Sequence, residues 1–171
     1  LDAQSKDRTK NYSHDTDQGK DISWVYLAAK MIQQPVTVVT DEDLVDGTVL
    51  ANYKAVVLPA ISYLDPAVAK ALEDFIAAGG IVLKSGDGKV EVKGAIDLGV
   101  KSKLPDEDSA EYKQIVKDQK WSDLGKFQTM AKYFKGAEPL AKAMKAQLDK
   151  AGIKPAVESD QPGITATVQG V

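Results

Sequence analysis

The chain has 171 residues, with 22 basic and 25 acidic side chains and a formal net charge of −3, and 43% hydrophobic content is enough for one domain with a buried core. No basic block indicates binding to nucleic-acid phosphates, and no apolar run approaches the roughly 18 residues that a membrane span needs. Cysteine is absent and His14 is the single histidine, which excludes disulfides, thiolate catalysis and zinc–thiolate sites.

The first predicted element is a polar arm, residues 1–19, in which charged side chains recur without apolar periodicity. Asp21 is expected to cap a helix whose apolar face carries Ile22, Val25, Tyr26, Ala29 and Ile32. Pro35 ends that helix, and Val36–Thr40 is predicted to form a strand. Asp41–Leu44 then predicts an acidic, short helical turn.

The clearest pattern in the chain is Tyr53–Gly86, which predicts a complete βαβ unit. Ala55–Leu58 is a continuous apolar run that ends at Pro59, as is typical of a parallel strand buried on both faces. Ile81–Leu83 is a second run of the same kind. The two strands are therefore expected to lie parallel, joined by a right-handed crossover.

The crossover of this unit is a predicted amphipathic helix. Asp65 is placed to cap it and Pro66 occupies its first position, where the missing N–H costs nothing. Apolar residues recur at helical spacing along one face, at Val68, Leu72, Phe75 and Ile76. Gly79 and Gly80 are expected to end the helix, because glycine takes the left-handed conformation that a C-terminal cap requires.

Beyond Lys84 the periodicity weakens. Val90–Val92 is a candidate edge strand or hairpin arm, and no clear period follows it at Ile96, Leu98 and Val100. One helix is predicted after Ser109, a second over Trp121–Phe134 with a glycine inside it, and a third over Pro139–Ala151. The chain closes with an alternating segment that predicts a half-exposed strand, with Ile164, Ala166 and Val168 separated by Thr165 and Thr167.

Pro35–Leu44 joined to Tyr53–Gly86 resembles the class I glutamine amidotransferase-like fold. More narrowly, it resembles the non-catalytic middle domain, often called the trimerisation domain, of family 42 β-galactosidases and related multidomain glycoside hydrolases. The segments that carry the resemblance read PVTVVT, DEDL, YKAVVLP and YLDPAVAKALEDFIAAGGIVLKSG. It covers residues 20–90 well and 90–135 thinly. The fold class that it implies is α/β, a three-layer, mostly parallel sheet flanked by helices, flavodoxin-like or amidotransferase-like.

Two departures from that family limit what is carried over. Amidotransferases have a cysteine nucleophile on the turn after the strand equivalent to Ile81–Lys84, with histidine and glutamate partners later in the chain. Here the turn contains Ser85 and no histidine follows His14, so no catalytic residue is transferred and glutaminase activity is excluded. The fold also opens with a central strand, for which residues 1–20 hold no candidate. We therefore expect a sheet lacking its first strand, which would precede Leu1 or come from another chain.

The expected organisation is an amidotransferase-like α/β domain over residues 1–156, followed at residues 157–171 by a linker and the first strand of a β-sandwich. By resemblance, the chain is expected to be a non-catalytic structural or oligomerisation domain of a β-galactosidase-like glycoside hydrolase. Its partners would be other domains or chains of that hydrolase, with no nucleic acid, membrane, metal or cofactor. The alternative is a stand-alone module that binds a small ligand or sugar without glutaminase activity.

Open α/β sheets bind ligands at the carboxyl ends of their strands, which makes Pro59, Ser85, Gly86 and Asp87 the candidate ligand-binding residues. Ser85 is also a candidate nucleophile, with Asp87 nearby. Without a suitably placed histidine a serine hydroxyl is a poor nucleophile. A strand-to-loop turn, in which Ser85 bonds to the backbone, is the favoured interpretation.

Three other groups have a functional and a structural interpretation. The acidic run Asp41–Asp43 is a candidate cation site, but adjacent acids more often provide negative charge at a helix N-terminus. His14 is a candidate metal or substrate contact, with a solvated surface histidine as the favoured interpretation. The aromatic residues are candidates for a sugar-stacking platform or a subunit contact, with packing favoured: Trp24, Tyr26, Trp121 and Phe127.

Overall fold

A computed structural model describes residues 17–47, 50–155 and 157 of the chain. The architecture is mixed α/β, with a small parallel sheet and surrounding helices. The helices are α1 (Asp17–Met31), α2 (Asp41–Asp46), α3 (Pro66–Ala77), α4 (Ala110–Lys117) and α5 (Met130–Lys150). The strands are β1 (Ala55–Pro59), β2 (Ile81–Ser85) and β3 (Ile96–Asp97), and short 3₁₀ helices span Leu50–Asn52 and Trp121–Lys126.

The three strands form one parallel sheet in the order β1-β2-β3. β1 pairs with β2 from Ala55 opposite Ile81 to Pro59 opposite Ser85, which confirms the parallel pair expected from the two apolar runs. β3 adds only a short pairing to the other edge of β2. The pattern around Ile96 does not predict β3, because a strand of two residues is too short to show a period.

Successive strand residues point to opposite faces of a sheet, and each face here has its own apolar core. Leu58 and Val82 pack with the buried face of α3, which contributes Val68, Leu72 and Phe75. Val57 and Leu83 pack on the other side with α1 and α5, which contribute Val25, Ala28, Ala29, Leu140, Ala141 and Met144. Helices therefore cover both faces of the β1–β2 pair.

The helix ends in the first half of the chain follow the local sequence. The Asp65 side chain accepts a hydrogen bond from the N–H of Ala67 at 2.8 Å, and Pro66 begins α3 as expected. Gly79, just past α3, has the positive φ predicted for the end of that helix. Thr40 and Asp43 form a capping box at the start of α2, so the acidic run provides helix-terminal charge.

Two predictions before β1 are wrong. Asp21 does not cap α1, because the helix begins at Asp17 and Asp21 lies inside it with its side chain turned towards the sheet. Val36–Thr40 is not a strand in the structure, although its composition is typical of one. None of the described strands pairs with this segment, and a ladder needs such a partner.

The second half of the chain departs further from the prediction. The helix expected over Trp121–Phe134 is divided into a 3₁₀ helix and the start of α5, where Thr129 is the N-cap. α5 continues through Pro139 instead of beginning there. Proline removes one hydrogen bond from a helix interior, and the buried packing of α5 on α1 offsets that loss. Val90–Val92 forms no strand, but Val90 and Val92 are buried beneath α3 and β1.

Gly136 of α5 provides a test of the packing between α5 and the loop after β3. A Cβ atom at position 136 would lie 2.4 Å from the backbone oxygen of Lys103, so Gly136→Ala is expected to destabilise the protein by roughly 1–3 kcal/mol. Alanine normally stabilises a helix interior relative to glycine by about 1 kcal/mol, so the expected sign is reversed here. Urea unfolding monitored by circular dichroism measures the change.

Gly125 is the matched control, because a Cβ atom there would meet nothing within 4 Å. Gly125→Ala is expected to change the free energy of unfolding by less than about 0.5 kcal/mol. An equal loss of stability in both variants would contradict the close packing of α5 at Gly136.

Candidate functional site

The carboxyl end of β2 is tied to α1 by a buried hydrogen bond. The Oγ of Ser85 donates to Oδ2 of Asp21 at 2.6 Å. Ser85 is 1% exposed and Asp21 is 4% exposed, so the bond lies in the interior. Ser85 is the last residue of β2, and the expectation that it lies on a turn and bonds to the backbone is wrong.

Burial sets the ionisation of this pair. The pKa of Asp21 is raised above its ordinary value, chiefly because burial removes water from the carboxylate and disfavours its charge. The hydroxyl of Ser85 opposes that shift by donating to the carboxylate, while the negative charge of Asp87 adds to it. Asp21 is thus a buried acid that holds its proton more readily than an exposed aspartate.

Two loops close tightly around the Asp21 carboxyl group. Gly86 has a φ of 66°, and a Cβ atom on it would lie 2.9 Å from Cγ of Asp21 and 3.0 Å from Cβ of Ala60. Ala60, directly after β1, is itself left-handed with a φ of 41°, which is a strained conformation for a residue with a side chain. The loop after β1 and the loop after β2 therefore pack closely around the Asp21–Ser85 pair.

A cavity of about 530 Å³, here called the carboxyl-end cavity, lies beside these two loops. Its wall includes Trp24 and Tyr112, together with four basic and four acidic residues: Lys20, Lys101, Lys103 and Lys113 against Asp21, Asp87, Glu107 and Asp108. Lys101 pairs with Asp87, and Lys103 and Lys113 both pair with Asp108. The charges balance, so the cavity has no excess positive charge that would select an anion.

Ser102 is a further polar residue in the wall of the carboxyl-end cavity. It is 7% exposed, and its Oγ has no hydrogen-bond partner within the described residues. Buried hydroxyl groups are normally satisfied by protein or water. The sequence contains no signal for this residue, since a serine in a charged loop is ordinarily exposed.

The structure divides the four predicted ligand-binding residues. Gly86 and Asp87 line the carboxyl-end cavity. Ser85 is buried beneath them and does not line the cavity. Pro59 lines a different groove, on the edge of β1 that does not pair with β2. Sequence reasoning missed Asp21, Lys101 and Ser102, because no local pattern places α1 or the loop after β3 at the carboxyl ends of β1 and β2.

The other sequence candidates are dispersed. Among the described residues, no group of three or more His, Asp or Glu side chains is arranged to hold a metal ion. Trp24 packs against Tyr133 with ring centroids 5.4 Å apart, and Phe127 packs edge-on against Tyr112 at the same distance. Trp121 is exposed, so the four aromatic residues form no common platform. His14 and Ile164–Val168 lie outside the described residues.

None of the helices in the described part of the chain is long and apolar enough to span a bilayer. No family model, no curated protein and no solved structure matches the chain.

Asp21→Asn is expected to change how stability depends on pH. Because the folded pKa of Asp21 is raised, the folded state binds more protons than the unfolded state between about pH 4 and that pKa. The contribution of Asp21 to the free energy of unfolding of the wild type therefore falls as pH rises through this window. The asparagine side chain keeps an oxygen that accepts the Ser85 hydrogen bond, but it does not titrate. The variant should therefore gain stability relative to the wild type as pH rises.

Urea unfolding of both proteins at several pH values between about 2 and 7 measures this difference. Asp43→Asn provides a control of opposite sign. Hydrogen bonds from the backbone and side chain of Thr40 lower the pKa of Asp43, so that variant should lose stability relative to the wild type as pH rises towards about 4. A flat difference for Asp21→Asn would contradict the burial of its carboxyl group.

Proposed function

We propose that the chain is a non-catalytic structural or oligomerisation domain of a multidomain glycoside hydrolase of the β-galactosidase type. Its finer architecture would be the three-layer, amidotransferase-like arrangement. The observation that carries the non-catalytic part is the burial of Ser85, which by the resemblance would correspond to the family's nucleophile. The hydroxyl of Ser85 donates a hydrogen bond to Asp21, and the residue is only 1% exposed. No substrate atom can therefore reach the hydroxyl.

The surroundings of Ser85 support the same conclusion. A serine nucleophile needs a base that accepts its proton and an acyl or glycosyl carbon within about 3 Å. The chain has no cysteine, and no histidine lies among the described residues. Asp21 accepts the hydroxyl proton in a hydrogen bond, but Gly86 and Ala60 fill the space where a substrate would approach. The pair thus acts as a link between α1 and the sheet.

The glycoside-hydrolase part of the proposal is tested in the parent polypeptide. Removing residues 1–157 is expected to lower the number of subunits per assembly, because an oligomerisation domain contributes the contact surface. Hydrolysis of an aryl β-galactoside by the remaining catalytic domain should stay measurable. Multi-angle light scattering and a colorimetric assay on the full and shortened proteins make the two measurements.

The isolated chain provides the opposing test. Hydrolysis of aryl galactosides by the isolated chain, abolished by Ser85→Ala and retained in the exposed-serine control Ser62→Ala, would overturn the non-catalytic role. A parent polypeptide that keeps its subunit number without residues 1–157 would overturn the oligomerisation role.

A second function, binding of a small neutral polar ligand, is favoured by the carboxyl-end cavity. The cavity lies at the carboxyl ends of parallel strands, where ligands of open α/β sheets bind. Its balanced charges and its two aromatic side chains, Trp24 and Tyr112, suit an uncharged polyhydroxylated molecule better than a phosphate. Rings of this kind combine an apolar face with a polar group, as recognition of a sugar requires.

Tryptophan fluorescence tests this second function. Trp121→Phe leaves Trp24 as the single tryptophan, and Trp24 lines the cavity. Titration with mono- and disaccharides is expected to change its emission in a saturable way, because a bound sugar would displace water from the ring. Trp24→Phe is the control, because its remaining tryptophan, Trp121, is exposed and lies outside the cavity. Its emission should therefore not change on titration. Absence of any saturable change in the first variant would count against sugar binding.

A further inference from the structure

β1 is paired along one edge only. Its partner is β2, and none of the other described residues forms a strand against its second edge. In a parallel ladder, a strand directs part of its N–H and C=O groups to each side. The groups on the second edge of β1 therefore lack strand partners within the described chain, a condition that proteins normally avoid in an apolar strand.

A groove of about 650 Å³, here called the β1 groove, runs along this second edge. Residues 34–39 line it together with all five residues of β1. Both cores of the molecule open into it. One wall contains Val25, Ala29, Met144 and Leu148 from α1 and α5, and the other contains Leu44, Leu50, Ile61 and Leu64.

The burial of the valines beside the β1 groove shows what is missing. Val82 and Leu83 of β2 are 0% exposed, whereas Val56 and Val57 of β1 are only half-buried despite similar chemistry. Val38, which also lines the groove, is 65% exposed. These residues belong to runs whose composition is typical of strands covered on both faces, and the cover that they lack lies in the groove between them.

We propose that the β1 groove is the seat of one further β-strand, parallel to β1, supplied by the same polypeptide upstream of Leu1. The strand would pair with β1 on one side and with residues 36–39 on the other, and it would separate the two apolar walls. This inference goes beyond the proposed function, because it depends only on the sheet and not on the activity of any parent protein.

The two apolar walls determine the kind of strand that can occupy the groove. A side chain pointing to either face meets aliphatic groups, so the strand needs a continuous apolar run of about five residues, the length of β1. Ile164–Val168 alternates with Thr165 and Thr167, and would place hydroxyl groups against one apolar wall without partners. Residues 1–19 contain no apolar run.

The position of α1 identifies the side of the chain from which the strand comes. Asp21, in the second turn of α1, contacts Ser85 at the carboxyl end of β2. A strand parallel to β1 also ends at that edge of the sheet, and so leads into the arm and α1. After α1 the chain reaches Gln34 and Pro35, which line the groove, and then flanks it with Val36–Val39. Strand, α1 and residues 36–39 would thus form one crossover unit.

Fusion proteins test the proposal. The probe is the six-residue segment Val-Ile-Val-Val-Ile-Val, joined before Leu1 so that the native arm connects it to α1. We expect amide hydrogen exchange within Ala55–Pro59 to slow by about tenfold or more, and binding of an apolar fluorescent dye to decrease. Two matched fusions should lack both effects: Val-Thr-Val-Thr-Val-Thr before Leu1, and the apolar segment placed after Val171.

A pair of exposed valines provides an internal control in the apolar fusion. Val38 is 65% exposed and lines the β1 groove, whereas Val45 is 51% exposed on α2 and does not. Val38→Asp should remove most of the added exchange protection, because the seated strand would bury the new charge. Val45→Asp should leave it unchanged.

Several results would overturn the proposal. Equal protection from the alternating segment would mean that the groove does not select an apolar strand. Protection of β1 in the unfused chain, lost when residues after 157 are removed, would assign the groove to the C-terminal segment. Protection that depends on protein concentration and accompanies dimer formation would assign it to a second copy. A folded apolar fusion without protection would show that the groove seats no upstream strand. None of these readouts depends on the parent's subunit number or hydrolysis.

Discussion

The structure depends on one requirement of a parallel β-strand: both edges need hydrogen-bond partners and both faces need apolar cover. β2 meets it, because β1 and β3 lie on its two sides and the two cores lie on its faces. β1 contacts both cores, but within the described chain it is paired on one edge only and its valines stay half-buried. The half-buried valines of β1, the unpaired segment Val36–Val39 and the β1 groove all follow from this single difference.

The Asp21–Ser85 bond has a comparable role at the carboxyl edge of the sheet. It joins α1, which carries one core, to β2, which separates the two cores. A buried carboxylate is costly, and the raised pKa of Asp21 expresses that cost. The close approach of Gly86 and the strained Ala60 belong to the same contact, since both loops pack closely around the Asp21 carboxyl group. At this edge of the sheet, the bond makes the end of β2 part of the packing between α1 and the sheet.

The sequence predicted the βαβ unit well because its signals are local. Asp65, Pro66 and Gly79 act within a few residues of the helix ends that they define, and the apolar runs of β1 and β2 need only their own composition. Asp21 shows the limit of such signals. Its type and position are typical of an N-cap, yet its partner is Ser85, 64 residues away, and no periodicity reports a contact of that kind. The same reason hides Lys101 and Ser102, which reach the carboxyl-end cavity through tertiary packing.

The predictions at Val36–Thr40 and Pro139 are wrong for opposite reasons, which depend on whether each segment has a packing partner among the described residues. At Pro139 tertiary packing overrides a local helix breaker, because α5 has α1 and the sheet to pack against. At Val36–Thr40 a good local strand signal is not realised, because the neighbour that a strand needs is absent from the described residues. Tertiary packing overrides local propensity at Pro139, and without a pairing partner the local propensity at Val36–Thr40 does not produce a strand. The second case therefore supports the proposed strand beside these valines, which makes the β1 groove a position in the sheet and not a ligand pocket.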